Sequence, residues 1–248
     1  MAEEALEAST RAQHLRNVMH FWAWAYDDEE LGPHVPRPRK IEAPQRVPKP
    51  VRAPTWSQMD AMIAHLAHEE AKRCAMLMRY LGWRIGQVCR LEWTDFDLEA
   101  GTLRLRGELG KSRAGKVGRT VIIAKALTAY LATLGRREGK VVRLSTVWIH
   151  HYLVKAWAAS GVEAEIWKGH SAHAFRRGFR TELKSARVDS EAIEFYCGRS
   201  TGVRDLYTDP RALDLLDLVA NVPPVGGPHT MRNVPAVSLD ERRRRKNV

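Results

Sequence analysis

Residues 102–123 read TLRLRGELGKSRAGKVGRTVII. Apolar and polar side chains alternate through 102–106, and β-branched residues run through 119–123, the pattern of two strands. The intervening turn, 107–118, is polar and rich in Gly and Lys, so the pair predicts a hairpin. On both sides of it the periodicity is helical. Residues 69–81 carry Cys74, Leu77, Met78 and Leu81, then stop at Gly82. Further back, Thr55 and Gln58 fit a capping box ahead of Met59, Ile63 and Leu66. Beyond the hairpin, helices are predicted near 125–134, 145–159 with Ser145 as cap, 171–186, and 190–197. Asp189 or Ser190 caps the last of these and Gly198 ends it. A final helix covers about 210–220. The reading is an α+β domain, mainly α, with a small antiparallel sheet or hairpin, over residues 54–221.

The flanks differ from this domain. Residues 10–27 form an amphipathic helix with Leu15, Val18, Met19, Phe21, Trp22 and Trp24 on its apolar side, more surface than one helix can bury alone. Residues 32–54 hold Gly32 and seven prolines, with six Lys or Arg interleaved. Such a stiff, extended, basic linker (32–53) suits the edge of a phosphate backbone, and equally a plain solvated spacer. The tail, 222–248, contains Pro and Gly and ends ERRRRKNV. It is expected to be disordered, its basic run either a nonspecific DNA contact or a solvated end.

The 248 residues carry 40 Lys and Arg against 29 Asp and Glu, a net charge of +11. That excess suits a polyanionic partner, because each neutralised phosphate releases condensed counterions. The cysteines Cys74, Cys89 and Cys197 lack CxxC spacing, so neither a zinc site nor a disulfide framework follows. No apolar run approaches a membrane span, and Met1 to Thr10 is not a signal peptide. The expectation is a cytoplasmic protein with no membrane partner.

Several segments could carry chemistry. In GWRIGQVCRLEWTDFDL, residues 82–98, Arg84 follows a Gly-Trp break where a helix ends and can aim at a pocket. In HAFRRGFRTEL, residues 173–183, His173 and Arg176 stand at i and i+3 on one helix face, while Phe175 and Phe179 turn to the core. A guanidinium there can grip two phosphate oxygens. The hairpin turn offers Lys111, Arg113 and Lys116, and a lysine on such a turn can donate a proton. In YCGRSTGVRDLY, residues 196–207, Tyr207 follows a Gly-containing loop with Arg199 and Arg204. Taken singly, each has a plain reading: a surface charge, a turn lysine, a packed tyrosine.

Their order along the chain resembles the tyrosine recombinases, the phage integrases and chromosome-dimer resolvases. Residues 82–98 look like that family's first-arginine box, HAFRR like its His-x-x-Arg box, and LYTD like its nucleophile box. The resemblance covers about residues 54–221. It implies a DNA-binding site-specific recombinase or integrase of a mobile element, acting on double-stranded DNA as a self-associated tetramer, with no metal and no cofactor. Carried over to this chain, Tyr207 attacks the scissile phosphate to form a 3′-phosphotyrosine link. Arg84 and Arg176 hold the non-bridging oxygens, and His173 transfers a proton near the nucleophile. Lys111, or Lys116 if the hairpin is short, protonates the leaving 5′-oxygen.

Three departures accompany the resemblance. Arg199 stands where the family usually has His or Trp, and an arginine cannot exchange a proton near neutral pH. Gln87 replaces the more common Glu. The front is short against the family's two-domain clamp, so residues 1–31 are expected to be the remnant of an N-terminal helical core-binding domain. These features leave room for an alternative, a catalytically impaired or truncated DNA-binding relative. Type IB topoisomerases share the chemistry, but the Leu-x-Trp-x-Asp ending and the size favour a recombinase.

Overall fold

The computed structural model describes residues 8–42, 44, 51–106, 118–135, 138–198 and 214–227. The chain divides into two compact units, Met1–Pro50 and Val51–Val248.

In the first unit, α1 (Ala8–Asp27) begins slightly ahead of the predicted helix. A short 3-10 turn, Gly32–His34, follows it. The Trp22 Nε1–H then donates to the Pro36 carbonyl at 2.8 Å, folding the first residues of the expected extended linker back along the helix. Leu15, Met19 and Trp22 are half-buried, whereas Val18, Phe21 and Trp24 remain exposed.

The second unit is built around α3 (Glu69–Leu81), whose Ala71, Cys74, Ala75, Leu77, Met78 and Leu81 have no exposed surface. A helix buried on most of its circumference must be wrapped by other elements. It packs on α2 (Trp56–Ala64), α6 (Thr146–Ala159) and α8 (Ser171–Ser185). The predicted capping box starts α2: Gln58 N–H donates to Thr55 Oγ1 at 3.3 Å, and Thr55 N–H donates to Gln58 Oε1 at 3.0 Å. Ser145 caps α6 and Asp189 caps α9 (Ser190–Tyr196). The helix α5 (Lys125–Thr133) follows the sheet. Among the described residues no helix is long and apolar enough to cross a membrane.

The sheet has three antiparallel strands rather than two, in the order β1 (Phe96–Asp97), β2 (Thr102–Leu105), β3 (Arg119–Ile122). The predicted hairpin is present, with Leu103 opposite Val121 and Leu105 opposite Arg119. Leu103, Leu105 and Val121 face the core while Arg104 and Thr120 face out. A strand of two residues, like the four-residue helices α4 (Ile85–Val88) and α7 (Ala164–Trp167), is too short to leave a periodic signal. The turn 107–117 lies outside the described residues.

The ordered chain also runs past residue 221, where the disordered tail was expected to begin. After α10 (Leu215–Ala220), Val222 is buried and Pro223 O accepts from Arg79 Nη1 at 2.8 Å. Val225 N–H donates to Tyr80 Oη at 3.0 Å, and Gly226 N–H to Asp60 Oδ2 at 3.1 Å. Arg79 is itself fully buried, paired with Asp60 at 2.9 Å and stacked 4.3 Å from the Trp56 ring centroid. A buried charge pair needs its remaining donors and acceptors filled, and backbone from 223–226 fills two of them. Composition points to a loose end for this segment because its ties are made by main-chain atoms, which every residue has.

Candidate active site

Gly82 ends α3 in the left-handed region, φ 61°, with its N–H on Met78 O at 2.9 Å. A Cβ here would lie 2.4 Å from Phe179 Cδ1 on α8, so only glycine allows both the turn and the close helix contact. The next residue, Trp83, is fully buried and donates its Nε1–H to Tyr196 O at 2.8 Å. Arg84 then precedes α4. Its backbone N–H donates to Gln87 Oε1 at 3.1 Å, half of a capping box that arginine, lacking an acceptor, cannot complete. Gln87 thus orients the backbone of Arg84.

From the other side α8 presents His173 and Arg176. Its opposite stripe, Phe175, Phe179 and Leu183, is buried without exposed surface. Arg176 is not a surface residue: it is 3% exposed. Its Nη1 donates to Gly82 O at 2.9 Å and to Cys197 O at 2.7 Å, joining the ends of α3 and α9. Its Nη2 is buried with no hydrogen-bond partner among the described residues. Leaving a charged donor dry and unpaired costs about 1–3 kcal/mol or more, a cost that an anionic ligand would remove. Burial first, and then the positive charge of Arg84 and Arg180, lowers the Arg176 pKa, against the opposing pull of Cys197 and Glu194. The guanidinium stays protonated at neutral pH regardless.

Arg84, Ile85, Gly86, Gln87, Arg90, Ala172 and His173 line a cavity of about 320 Å³. Its charged lining is cationic, without a carboxylate. His173 is exposed at the surface, and partial desolvation by its surroundings, followed by the charges of Arg176, Arg177 and Arg84, pushes its pKa below the usual 6.5. The imidazole is therefore neutral at pH 7 and free to accept a proton. Arg90 was not singled out on sequence. It is exposed at this cavity, with Nε on Gly86 O at 2.9 Å, and one more arginine in a basic chain gives no distinguishing signal.

Of the predicted site residues, Arg84, His173 and Arg176 are brought together in this way. Lys111, Lys116, Arg199, Arg204 and Tyr207 lie outside the described residues. The chain has six tyrosines, and the other five, Tyr26, Tyr80, Tyr130, Tyr152 and Tyr196, are described; none lines the cavity. Tyr196 comes nearest in sequence to Tyr207, but its ring stacks on Phe179 at 5.8 Å and its hydroxyl is fully buried. That burial raises its pKa and makes it a poor nucleophile. The Cys197 thiol is likewise pushed up to about 11 by burial.

Arg84, Arg90 and a proton-accepting His173 line this cationic cavity, and the buried Arg176 stands one turn along α8 from His173, a make-up suited to holding a phosphate group. Residues 55–203 match the phage integrase family, and the chain belongs to that family. Among solved structures, the Tn1549 transposon integrase in complex with circular intermediate DNA is 17% identical, with a TM-score of 0.56, over 84% of this chain and 76% of that one. The XerH site-specific recombinase bound to difH substrate is 15% identical, TM-score 0.55, over 88% and 65%. XerA recombinase is 17% identical, TM-score 0.50, over 86% and 82%. At these identities the likeness is one of fold.

Proposed function

We propose that this protein is a tyrosine-type DNA recombinase or integrase that breaks and rejoins double-stranded DNA through a covalent 3′-phosphotyrosine, without a metal. The observation that carries the reading is the cationic cavity lined by Arg84, Arg90 and His173, with the buried Arg176 guanidinium on the same helix as His173 and one of its nitrogens without a partner among the described residues. A phosphodiester brings the charge and oxygen atoms that such a group lacks.

In this scheme Tyr207 Oη attacks the scissile phosphorus and the bond to the 5′-oxygen breaks. The tyrosine proton passes to neutral His173, and Lys111 protonates the departing 5′-oxygen. Arg84 and Arg176 hold the non-bridging oxygens as charge builds on them. Attack by a 5′-hydroxyl reverses every step, so the phosphodiester is resealed without ATP. The absence of any other tyrosine at the cavity supports the choice of Tyr207. Arg199 serves as a hydrogen-bond donor to phosphate rather than in proton transfer. Self-association on DNA as a tetramer, and a cytoplasmic location, belong to the same proposal, and the net charge of +11 favours the DNA partner.

A nicked suicide substrate tests it. The expected result is a covalent protein–DNA adduct that disappears in Tyr207→Phe; binding with no adduct would instead identify a DNA-binding relative that has lost strand transfer. Replacing the 5′-bridging oxygen by sulfur separates the two lysines. A thiol ionises near pH 8.5 and leaves without a proton, so this substrate should rescue Lys111→Ala; rescue of Lys116→Ala alone would move the role to Lys116.

A further inference from the structure

We infer that Arg119 is a positioning residue for strand transfer, tying the exit of α9, from which the chain continues to Tyr207, to the base of the hairpin that carries Lys111 and Lys116. The inference rests on the strand-transfer reading above.

Arg119 is the first residue of β3 and pairs with Leu105 across the hairpin, beside the start of the 107–117 turn. Its guanidinium lies 4.7 Å from the Phe195 ring centroid on α9. Its Nη2 reaches Tyr196 O at 3.5 Å, a long contact in which charge–carbonyl attraction matters more than hydrogen-bond geometry. Gly198 follows α9 with φ 70°, and a Cβ placed there would fall 2.7 Å from Arg119 Nη2 and 3.7 Å from Gln87 Nε2. The guanidinium therefore sits directly against the backbone where the chain leaves α9.

Two further donors meet at the same place. Trp83 Nε1 binds Tyr196 O at 2.8 Å, and Arg176 Nη1 binds Cys197 O at 2.7 Å. The last carbonyls of a helix have no partners within the helix and form the negative end of its dipole, so cationic donors there are stabilising. Trp83 comes from the Arg84 segment and Arg176 from α8. Arg119 adds the third contact, from the sheet. If it served only as a cap, its loss would loosen α9 and leave the chemistry intact. A lysine and a tyrosine that act on the two sides of one phosphorus must instead keep their spacing to within about 1 Å, and a misplacement of that size can cost on the order of 10²-fold in rate. Arg119 joins the two supports directly, in addition to α10, which packs on both β3 and α9. Arginine suits the place because its planar group stacks on Phe195 while its edge faces a carbonyl; lysine keeps the charge but not the stacking.

The test uses the full chain with Arg119→Ala, Arg119→Lys and, as a control on the exposed face of β2, Arg104→Ala. Cleavage of the nicked substrate at saturating DNA should fall by about 30- to 100-fold in Arg119→Ala. DNA affinity should stay within about threefold and the melting temperature within a few degrees. Arg119→Lys should recover part of the rate, and Arg104→Ala should match the wild type. In the DNA-free protein, amide exchange at 190–198 should speed up in Arg119→Ala and not in Arg104→Ala. Wild-type cleavage by Arg119→Ala, or a loss that only follows affinity or melting temperature, overturns the inference and leaves the strand-transfer reading standing. If the wild type itself forms no adduct, that reading fails, and an unchanged exchange profile at 190–198 overturns the clamp as well.

Discussion

Helices α1 and α8 are both long and both carry a stripe of aromatic and aliphatic residues, yet they end up in opposite states. On α8, Phe175, Phe179 and Leu183 are completely buried, while His173 reaches the cavity and Arg176 binds the Gly82 and Cys197 carbonyls. On α1, Val18 is 57% exposed, Phe21 65% and Trp24 56%, although Phe21 and Trp24 pack on each other at 5.6 Å. An apolar stripe therefore states only that a helix has a face to bury. Whether burial happens depends on what other elements bring against it, and for α8 these are α2, α3, α6, α7 and α9.

The contrast can be broken or sharpened by substitution. The largest effect is expected from Phe179→Ala, which empties the space between α8, Gly82 and the Trp56 and Tyr196 rings; about 3–5 kcal/mol of stability should be lost in urea unfolding. Next comes Arg176→Lys. It keeps the charge but not the fork that spans two carbonyls and an anion, so adduct formation should fall about 10²- to 10³-fold, with a smaller loss of stability. Retained cleavage would mean that Arg176 is purely a strut between α3 and α9.

His173→Gln should act through pH. Because its pKa lies below 6.5, neutral His173 predominates at pH 7 and is lost only as the pH falls through that lowered value. If it accepts the Tyr207 proton, wild-type cleavage declines on the acid side, and that decline disappears in His173→Gln together with about 10²-fold of the rate. An unaltered pH profile would count against the role. The smallest effect is expected from Trp24→Ser on α1, within about 0.5 kcal/mol, as for other exposed sites. A cost of several times that would show that the face is covered in solution, and the contrast with α8 would narrow.

The same contrast explains what could be read from the sequence. The stop of α3 at Gly82, the Thr55 box, the Ser145 cap and the two longer strands were legible because each depends on side chains within a few residues of one another. The His173/Arg176 pairing was legible because a helix repeats at a known spacing. Strand β1 and helices α4 and α7 were not, being shorter than any period. Nor was the seating of 222–227, whose ties to Asp60, Arg79 and Tyr80 cross more than 140 residues. Arg119 looked like any strand residue, because its partners Phe195 and Tyr196 are 76 or more residues away.

By itself, then, the sequence determined the helical frame with its hairpin, the basic charge, and an order of arginine, lysine, histidine, arginine and tyrosine that resembles the family's. Only the tertiary structure decided that Arg176 is buried with a nitrogen unpartnered among the described residues, that partial desolvation and neighbouring arginines lower the His173 pKa, and that the last carbonyls of α9 are met by donors from three separate segments. The reason is physical. Local spacing sets which side chains share a face, but desolvation and unpaired hydrogen-bonding groups arise only when distant segments close over one another.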